Sequence, residues 1–307
     1  MTDHEHHADP ASGHHQQHGH RHGHGHAEFD EATWARWAAS AELEGEVLLE
    51  FVTSTAERVA STPGWVAPQR IADVGSGPGV AACELARLFP AAHVIAFDSS
   101  PAMLQHASAR IHRLGLGGVV SVVLGEIPSE LDRLGDIDLL WASMSLHHVG
   151  DEVAALRAFR PTLSPTGVVA IVEMADQIRM FPADLGIGRV GLADRLAQCG
   201  AEWFAQMRNA LPSTIESQDL GVMVEAAGYT VVDDRVARVR IDVPLPEQAR
   251  RFVVGTLTRT RSQLDAMLDA EDLAVLDVLL DPTNPLSVAQ RDDVFVEASR
   301  RIIIACG

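Results

Sequence analysis

A glycine-rich turn at the end of an apolar segment constrains this chain more than any other feature. The segment IADVGSGPGV, residues 71–80, starts like a strand, contains Asp73, and places Gly75, Gly77 and Gly79 before a helical pattern. Glycine is needed where a backbone bends sharply and where a ligand must touch the main chain without an intervening Cβ. The spacing is Gly-x-Gly-x-Gly after a carboxylate, unlike the Gly-x-Gly-x-x-Gly of dinucleotide-binding enzymes. The turn therefore favours a cationic ligand without a pyrophosphate.

A second carboxylate ends the next predicted strand. In AFDSSPAML, residues 96–104, the apolar run stops at Asp98, 23 residues after Gly75. A carboxylate at this point can accept hydrogen bonds from both ribose hydroxyls of a bound nucleoside. The alternative is that Asp98 or Ser99 caps the helix that begins near Pro101, and the two functions can coexist. The glycine turn at the right distance favours the ribose interpretation.

Between residues 70 and 175, strand-like segments alternate with helix-like segments. This alternation is typical of a parallel sheet that helices cover on both faces. The sequence predicts a Rossmann-like α/β fold with a seven-stranded, mostly parallel sheet and added helical lid elements. Predicted strands lie near residues 70–74, 93–97, 119–124, 137–142 and 167–173, with two more near 229–232 and 300–306. Predicted helices lie near 80–88, 101–114, 127–134 and 153–159.

Together these segments resemble class I S-adenosylmethionine (SAM)-dependent methyltransferases. Asp73, the glycines and Asp98 look like the first two motifs of that family. VVLGEIPSEL (122–131), DIDLLWASMSLHHVGD (136–151) and LSPTGVVAIVE (163–173) resemble its third-, fourth- and fifth-strand motifs. The resemblance covers about a third of the chain. It implies SAM as the cofactor and methyl transfer to an O, N or C nucleophile of a small molecule.

The same resemblance implies a set of SAM-binding residues. An acidic residue such as Glu126 would accept from the adenine amino group while Ile127 lines the ring, although relatives more often have Gly-Asp where this chain has Gly-Glu. The implied set is Asp73, Gly75, Ser76, Gly77, Gly79, Asp98, Ser99, Met103, Gly125, Glu126, Ile127 and Ser143.

Two adjacent histidines follow the fourth predicted strand. Because the methyl group of SAM is electrophilic, such an enzyme mainly has to hold a nucleophile in line and exclude water. A hydroxyl or protonated amine acceptor also needs a base, and His147 or His148 is suitably located for it. The alternative is that one histidine packs while the other binds a main-chain carbonyl.

The first 26 residues hold ten of the fifteen histidines and almost no large apolar side chains. Such a composition predicts a disordered tail over residues 1–27, because it buries too little surface to offset its ordering entropy. Alternating imidazoles in this tail suit zinc, nickel or copper. The candidate ligands are His18, His20, His22, His24 and His26. The alternative is a solubilising tail or a cloning remnant.

The remaining segments are predicted to surround the SAM-binding core. Residues 28–62 have helical periodicity and predict N-terminal helices that form a lid or cap. Residues 63–307 are expected to form the methyltransferase domain, with helical insertions at about 176–214 and 245–292. Insertions between late strands are suitable material for a substrate lid.

The composition of the chain limits the classes of partner that it can bind. The formal net charge of −18 argues against nucleic acid, whose binding depends on clustered Lys and Arg. No apolar run approaches the roughly 18–20 residues that cross a bilayer, and the N-terminus lacks a secretory stretch. The three cysteines have no paired spacing. The sequence therefore predicts a cytoplasmic protein that acts on a small molecule, as a monomer or homodimer, without a membrane.

Two other functions remain open at this point. An NAD-dependent oxidoreductase would share the glycine turn and the acid on the second strand, but it would need a glycine where Val80 stands. A non-enzymatic metal-responsive or SAM-binding module would use the fold without turnover.

Overall fold

The computed structural model describes residues 31–209 and 219–307, so the predicted tail and its five candidate metal ligands lie outside the described residues. The helices are α1 (Glu31–Val47), α2 (Glu50–Ala60), α3 (Val80–Leu88), α4 (Pro101–Arg113), α5 (Glu152–Phe159), α6 (Leu192–Asn209), α7 (Leu220–Ala226), α8 (Glu247–Gln263) and α9 (Ala270–Leu280). The strands are β1 (Arg70–Val74), β2 (His93–Asp98), β3 (Val120–Leu124), β4 (Ile137–Ser143), β5 (Leu163–Arg179), β6 (Thr230–Ile241) and β7 (Val296–Cys306).

In the described part of the chain, seven strands form one sheet in the order β3-β2-β1-β4-β5-β7-β6. Strands β1 to β5 pair in parallel, whereas β7 runs antiparallel to both β5 and β6. The carboxyl ends of β1, β2, β4 and β5 therefore meet at one edge of the sheet, as in other open α/β folds. The predicted Rossmann-like, seven-stranded and mostly parallel fold is confirmed.

Both faces of the sheet are buried. On one face, Ile71 and Trp141 pack with apolar residues of α2 and α3. On the other face, Ile171 packs with Leu156 of α5 and Val224 of α7. Strands buried on both faces read as continuous apolar runs, which is why their positions could be predicted from the sequence.

The predicted helix at 127–134 is wrong. Its second half forms only a 3₁₀ turn, Leu131–Leu134, which ends at Gly135 with a positive φ of 67°. The carboxylate of Glu130 instead accepts from the main-chain N–H of Glu126 and pairs with Arg133. These side-chain bonds to the local main chain compete with helix formation.

Strands β5 and β7 are longer than predicted. β5 continues from the apolar 168–172 through polar residues to Arg179, and β7 begins at Val296. The two strands pair with each other along this extension, up to Arg179 opposite Glu297, with register shifts after Met174. Pairing with a neighbouring strand therefore extends both elements beyond their apolar patterns.

A third apolar cluster lies above the sheet edge. It joins Leu196 of α6, Val253 of α8 and Leu276 of α9 with Phe51 of α2. Helix α1 packs across the start of α3, where a Cβ on Gly45 would lie 3.0 Å from the side chain of Val80. Helix α1 thus lies beside the end of the glycine turn, whereas α6, α8 and α9 pack with α2, and a lid over the substrate stays a prediction.

Candidate active site

Asp98 links the end of β2 to the glycine turn. One of its carboxylate oxygens, Oδ2, accepts from the main-chain N–H of Gly77 at 2.8 Å, and Oδ1 accepts from that of Ser100 at 2.8 Å. A Cβ built on Gly77 would meet no atom within 4 Å. The carboxylate is therefore held at the rim of an open space that borders bare main chain. This arrangement suits a nucleoside whose ribose hydroxyls reach Asp98.

The turn itself can be built only with glycine at Gly75. Its φ is 71°, in the left-handed region, and its main-chain N–H donates to Phe97 at 2.8 Å. A Cβ there would lie 2.4 Å from the Cβ of Ser145, in the loop after β4. The glycine therefore lets the loops that follow β1 and β4 touch.

Replacing Gly75 by alanine is expected to destabilise the protein by about 2 kcal/mol, because strain at positive φ adds to the clash with Ser145. Urea unfolding measures this change. Gly117→Ala is the matched control, since its added Cβ meets nothing within 4 Å. Equal stability of the two variants would contradict the close approach of the two loops.

Asp73 lies beneath the turn and is 1% exposed. Burial raises the pKa of Asp73 to about 7; a hydrogen bond from the main-chain N–H of Ala82 opposes this and the nearby charge of Asp98 adds to it. The other oxygen, Oδ2, has no hydrogen-bond partner among the residues that the structure describes. Direct contact between Asp73 and the cofactor stays a prediction.

The raised pKa predicts a pH-dependent cost. Between its ordinary value of 3.8 and about 7, folded Asp73 holds a proton that the unfolded chain has lost, so stability falls as the pH rises through this window. Asp73→Asn should therefore be more stable than the wild type at pH 8, by about 2 kcal/mol after the cost of a buried amide. The difference should shrink at pH 5. Urea unfolding at both pH values checks this, and parallel pH dependences would refute it.

The other predicted cofactor residues occupy the same rim with different exposure. Ser76 and Gly125 are buried, Met103, Ile127 and Ser143 are half-buried, and Ser99 and Glu126 are exposed. The N-cap of α4 is Ser100, whose Oγ accepts from the N–H of Met103 at 3.3 Å, so neither Asp98 nor Ser99 is the cap. Gly79, at φ 76°, is the N-cap of α3.

A carboxylate outside the set of predicted site residues, that of Glu173, holds His147. Nδ1 of His147 lies 2.7 Å from Oε2 of Glu173. Glu173 is on β5, directly after the residue that pairs with the end of β4. The second oxygen of Glu173, Oε1, accepts from the main-chain N–H groups of Ser145 and Leu146 at 3.1 and 2.9 Å. Glu173 is therefore fixed in place, and a proton on Nδ1 leaves Nε2 as the proton acceptor.

The turn between β4 and His147 is strained. Met144 has a φ of 54°, the one positive φ of a non-glycine residue in the described part of the chain. Its N–H donates to Val172 at 2.8 Å, and Oγ of the next residue, Ser145, donates to the carbonyl of Val74 at 3.0 Å. Strain of this kind costs about 1–3 kcal/mol and occurs frequently at functional sites. Here it brings the His147 loop against the glycine turn.

Helix α6 covers the histidines. The ring centroid of Phe204 lies 5.5 Å from that of His147, and the centroid of the exposed His148 ring lies 4.1 Å from that of His147. Arg208 donates to the carbonyls of His147 and Val149 at 2.6 and 3.0 Å and pairs with Glu152. The predicted insertion thus contributes directly to the site.

The structure therefore separates the two predicted bases. His147 is oriented by a partly buried carboxylate, whereas His148 faces solvent. The signal that could have identified Glu173 is an acid that ends the apolar run of β5, as Asp73 and Asp98 do on β1 and β2. Among residues 31–209 and 219–307, no cluster of three His, Cys, Asp or Glu residues could hold a metal ion.

Residues 71–167 match the protein-family model described as a methyltransferase domain. The matched segment contains the glycine turn, Asp98 and His147. Residues 71–167 form a class I methyltransferase domain. Helices α1 and α2 precede this domain in the chain, and most of β5 and the late insertions follow it.

Curated relatives match the methyltransferase domain as well. A malonyl-[acyl-carrier protein] O-methyltransferase of Dechloromonas aromatica is 33% identical over 109 residues, covering 36% of this chain and 38% of the relative. A trans-aconitate 2-methyltransferase of Methylobacterium radiotolerans is 35% identical over 123 residues, covering 40% and 44%. The chain thus spans about two fifths of the length of these relatives.

A solved structure, the SAM-dependent methyltransferase of Thiobacillus denitrificans with S-adenosyl-L-homocysteine, covers 83% of this chain and 91% of its own, with a TM-score of 0.42 and 17% identity. Within residues 31–209 and 219–307, no helix has the length and apolar character to cross a membrane.

Proposed function

We propose that this protein is a SAM-dependent methyltransferase that transfers a methyl group to an O, N or C nucleophile of a small molecule. The observation that carries the proposal is the hydrogen bond from the N–H of Gly77 to the carboxylate of Asp98, at 2.8 Å. This bond lies beside an open space at the glycine turn. The match of residues 71–167 to the methyltransferase domain supports it independently.

The described residues fit SAM. The bare main chain at Gly77 leaves room for close approach of a ligand, Asp98 can accept from ribose hydroxyls, and Glu126 and Ile127 are assigned to the adenine. When bound, SAM supplies an electrophilic methyl group on a sulfonium. The residues around it have to orient the acceptor and exclude water.

In this mechanism His147 removes the proton of a hydroxyl or amine acceptor through Nε2. Glu173 keeps the proton of the neutral imidazole on Nδ1 and stabilises the imidazolium that forms. Phe204 of α6 shields the ring from water, because the centroids of the two rings lie 5.5 Å apart. Glu173 acts as a positioning residue through His147.

The acceptor class follows from charge and from the relatives. A chain with a net charge of −18 is unsuited to bind the nucleic-acid backbone, which favours a small molecule. The malonyl group and trans-aconitate, which name the relatives, both carry carboxylates. We assign this protein to the cytoplasm, as a monomer or homodimer, and metal binding by the His-rich tail stays a prediction.

Isothermal titration of the full chain with SAM, S-adenosylhomocysteine and NADH tests the proposal. We expect saturable binding of SAM and of S-adenosylhomocysteine, and no binding of NADH. Binding of NADH alone would favour the oxidoreductase instead, although this chain has Val80 where a dinucleotide-binding turn needs its third glycine. Tight SAM binding without turnover on a broad acceptor panel would favour the non-enzymatic module.

A further inference from the structure

Arg300 is a buried cation close to Glu173, the carboxylate that orients the proposed general base His147. It stands on β7 opposite Met174, the residue that follows Glu173, and its side chain is 3% exposed. Burial lowers the pKa of Arg300, and the negative charges of Glu44 and Glu173 oppose that effect. The guanidinium is thus within electrostatic reach of the carboxylate that orients His147.

The carboxylate that pairs with Arg300 comes from the covering helix. Nη2 of Arg300 donates to Oε1 of Glu44 on α1 at 3.1 Å, and Nη1 donates to the carbonyl of Ser299 at 3.3 Å. The guanidinium also lies 5.6 Å from the ring centroid of Phe51. Within the described residues Glu173 is not hydrogen-bonded to Arg300, since both Glu173 oxygens already accept from the loop after β4.

A structural anchor does not need an arginine at this position. Neighbours on the same face of β7, such as Ile302 and Ile304, are fully buried aliphatic residues. Replacing a buried ion pair by apolar residues of similar volume is often neutral or stabilising. A cation in this position is therefore better explained by an anion that it has to bind.

Glu44 can leave Arg300 without releasing α1. Glu42 and Glu46, on the same helix, each accept from Arg110 of α4 at 2.6 Å. Glu44 also has a second cation, Arg259 of α8, at 3.7 Å. These contacts would keep helix α1 attached if the carboxylate of Glu44 moved from Arg300 towards Arg259.

We propose that Arg300 binds a carboxylate of the acceptor substrate, and that Glu44 occupies its place until the acceptor enters. This inference rests on the proposed function and names the acceptor class as a carboxylic acid. Arginine suits it because its planar guanidinium matches a carboxylate with two parallel hydrogen bonds. Glu44 thereby keeps the guanidinium paired in the absence of an acceptor and competes with anions that bind weakly.

Calorimetry with glutarate, in the presence of S-adenosylhomocysteine, tests the proposal, with neutral glutaramide as the control compound. Glu44→Gln should tighten glutarate binding by about fivefold, because it removes the competing charge. Arg300→Lys should weaken it by about tenfold or more, because the two-bond geometry is lost. Glutaramide binding should not follow either change.

Arg259→Gln removes the cation towards which Glu44 moves, so it should weaken glutarate binding and leave glutaramide binding unchanged. If Glu44 only fastens α1, then Arg259→Gln and Arg300→Lys will lower thermal stability without changing the ratio of glutarate to glutaramide affinity, and the proposal is overturned. Should Arg300→Lys fail to fold, Glu44→Gln decides alone, by tightening glutarate binding or not. Binding of S-adenosylhomocysteine in the same titrations tests the proposed function separately.

Discussion

Replacing His147 by alanine is expected to lower kcat by about 10²–10⁴-fold, the usual contribution of a general base. The affinity for S-adenosylhomocysteine should not change, because His147 lies in the loop after β4, whereas the proposed ribose ligand Asp98 ends β2. Single-turnover methyl transfer to an acceptor with a hydroxyl or amine measures the loss. Added imidazole should restore part of the rate, since it replaces the missing proton acceptor.

Glu173→Gln separates orientation from mere packing. The glutamine oxygen can still accept from the N–H groups of Ser145 and Leu146, but its amide now donates towards Nδ1 of His147. That reversal moves the imidazole proton to Nε2 and removes the acceptor, so the rate should fall by about 10²-fold or more. Imidazole should rescue His147→Ala better than this variant, which retains the blocked ring.

Two histidines serve as controls. His112→Ala changes an exposed residue in the last turn of α4 and should leave the rate unchanged. His148→Ala removes the exposed neighbour and should cost less than tenfold. A larger loss for His148→Ala than for His147→Ala would show that the Glu173 contact does not mark the base.

The sequence could predict the parts of this site that form locally. The site's first two strands and the glycine turn between them lie within 28 residues, from Ile71 to Asp98. The first strand is an apolar run that leads into the glycine turn, and the second is an apolar run that ends at Asp98. Apolar periodicity and glycine spacing report such features directly. The seven-stranded sheet and the meeting of the glycine turn with Asp98 were therefore predictable.

The contact of His147 with Glu173 and that of Arg300 with Glu44 could not be predicted from the sequence, because they join distant segments of the chain. Glu173 meets His147 across 26 residues only because β5 lies beside β4 in the sheet. Glu44 meets Arg300 across 256 residues because β7 inserts between β5 and β6. A single sequence gives a residue's type and local pattern, but not the neighbour that its strand acquires.

Asp98→Ala should weaken SAM binding by about 10- to 150-fold, since hydrogen bonds to a charged group contribute about 1.5–3 kcal/mol. Two effects combine in this variant. The ribose hydroxyls lose their acceptor, and the N–H of Gly77 loses the carboxylate that fixes the turn. Asp98→Asn should lose less, because its amide oxygen can still accept from Gly77.

Asp281→Ala is the matched control for this change. Oδ1 of Asp281 accepts from the main-chain N–H two residues further on, at Thr283, as Oδ1 of Asp98 does from Ser100. It therefore reproduces the loss of the local turn but lies far along the chain, between α9 and β7. Calorimetric titration with SAM should show wild-type affinity for Asp281→Ala. If Asp98→Ala also binds SAM like the wild type, then the carboxylate only supports the turn, and the ribose has to be held by other residues of the rim.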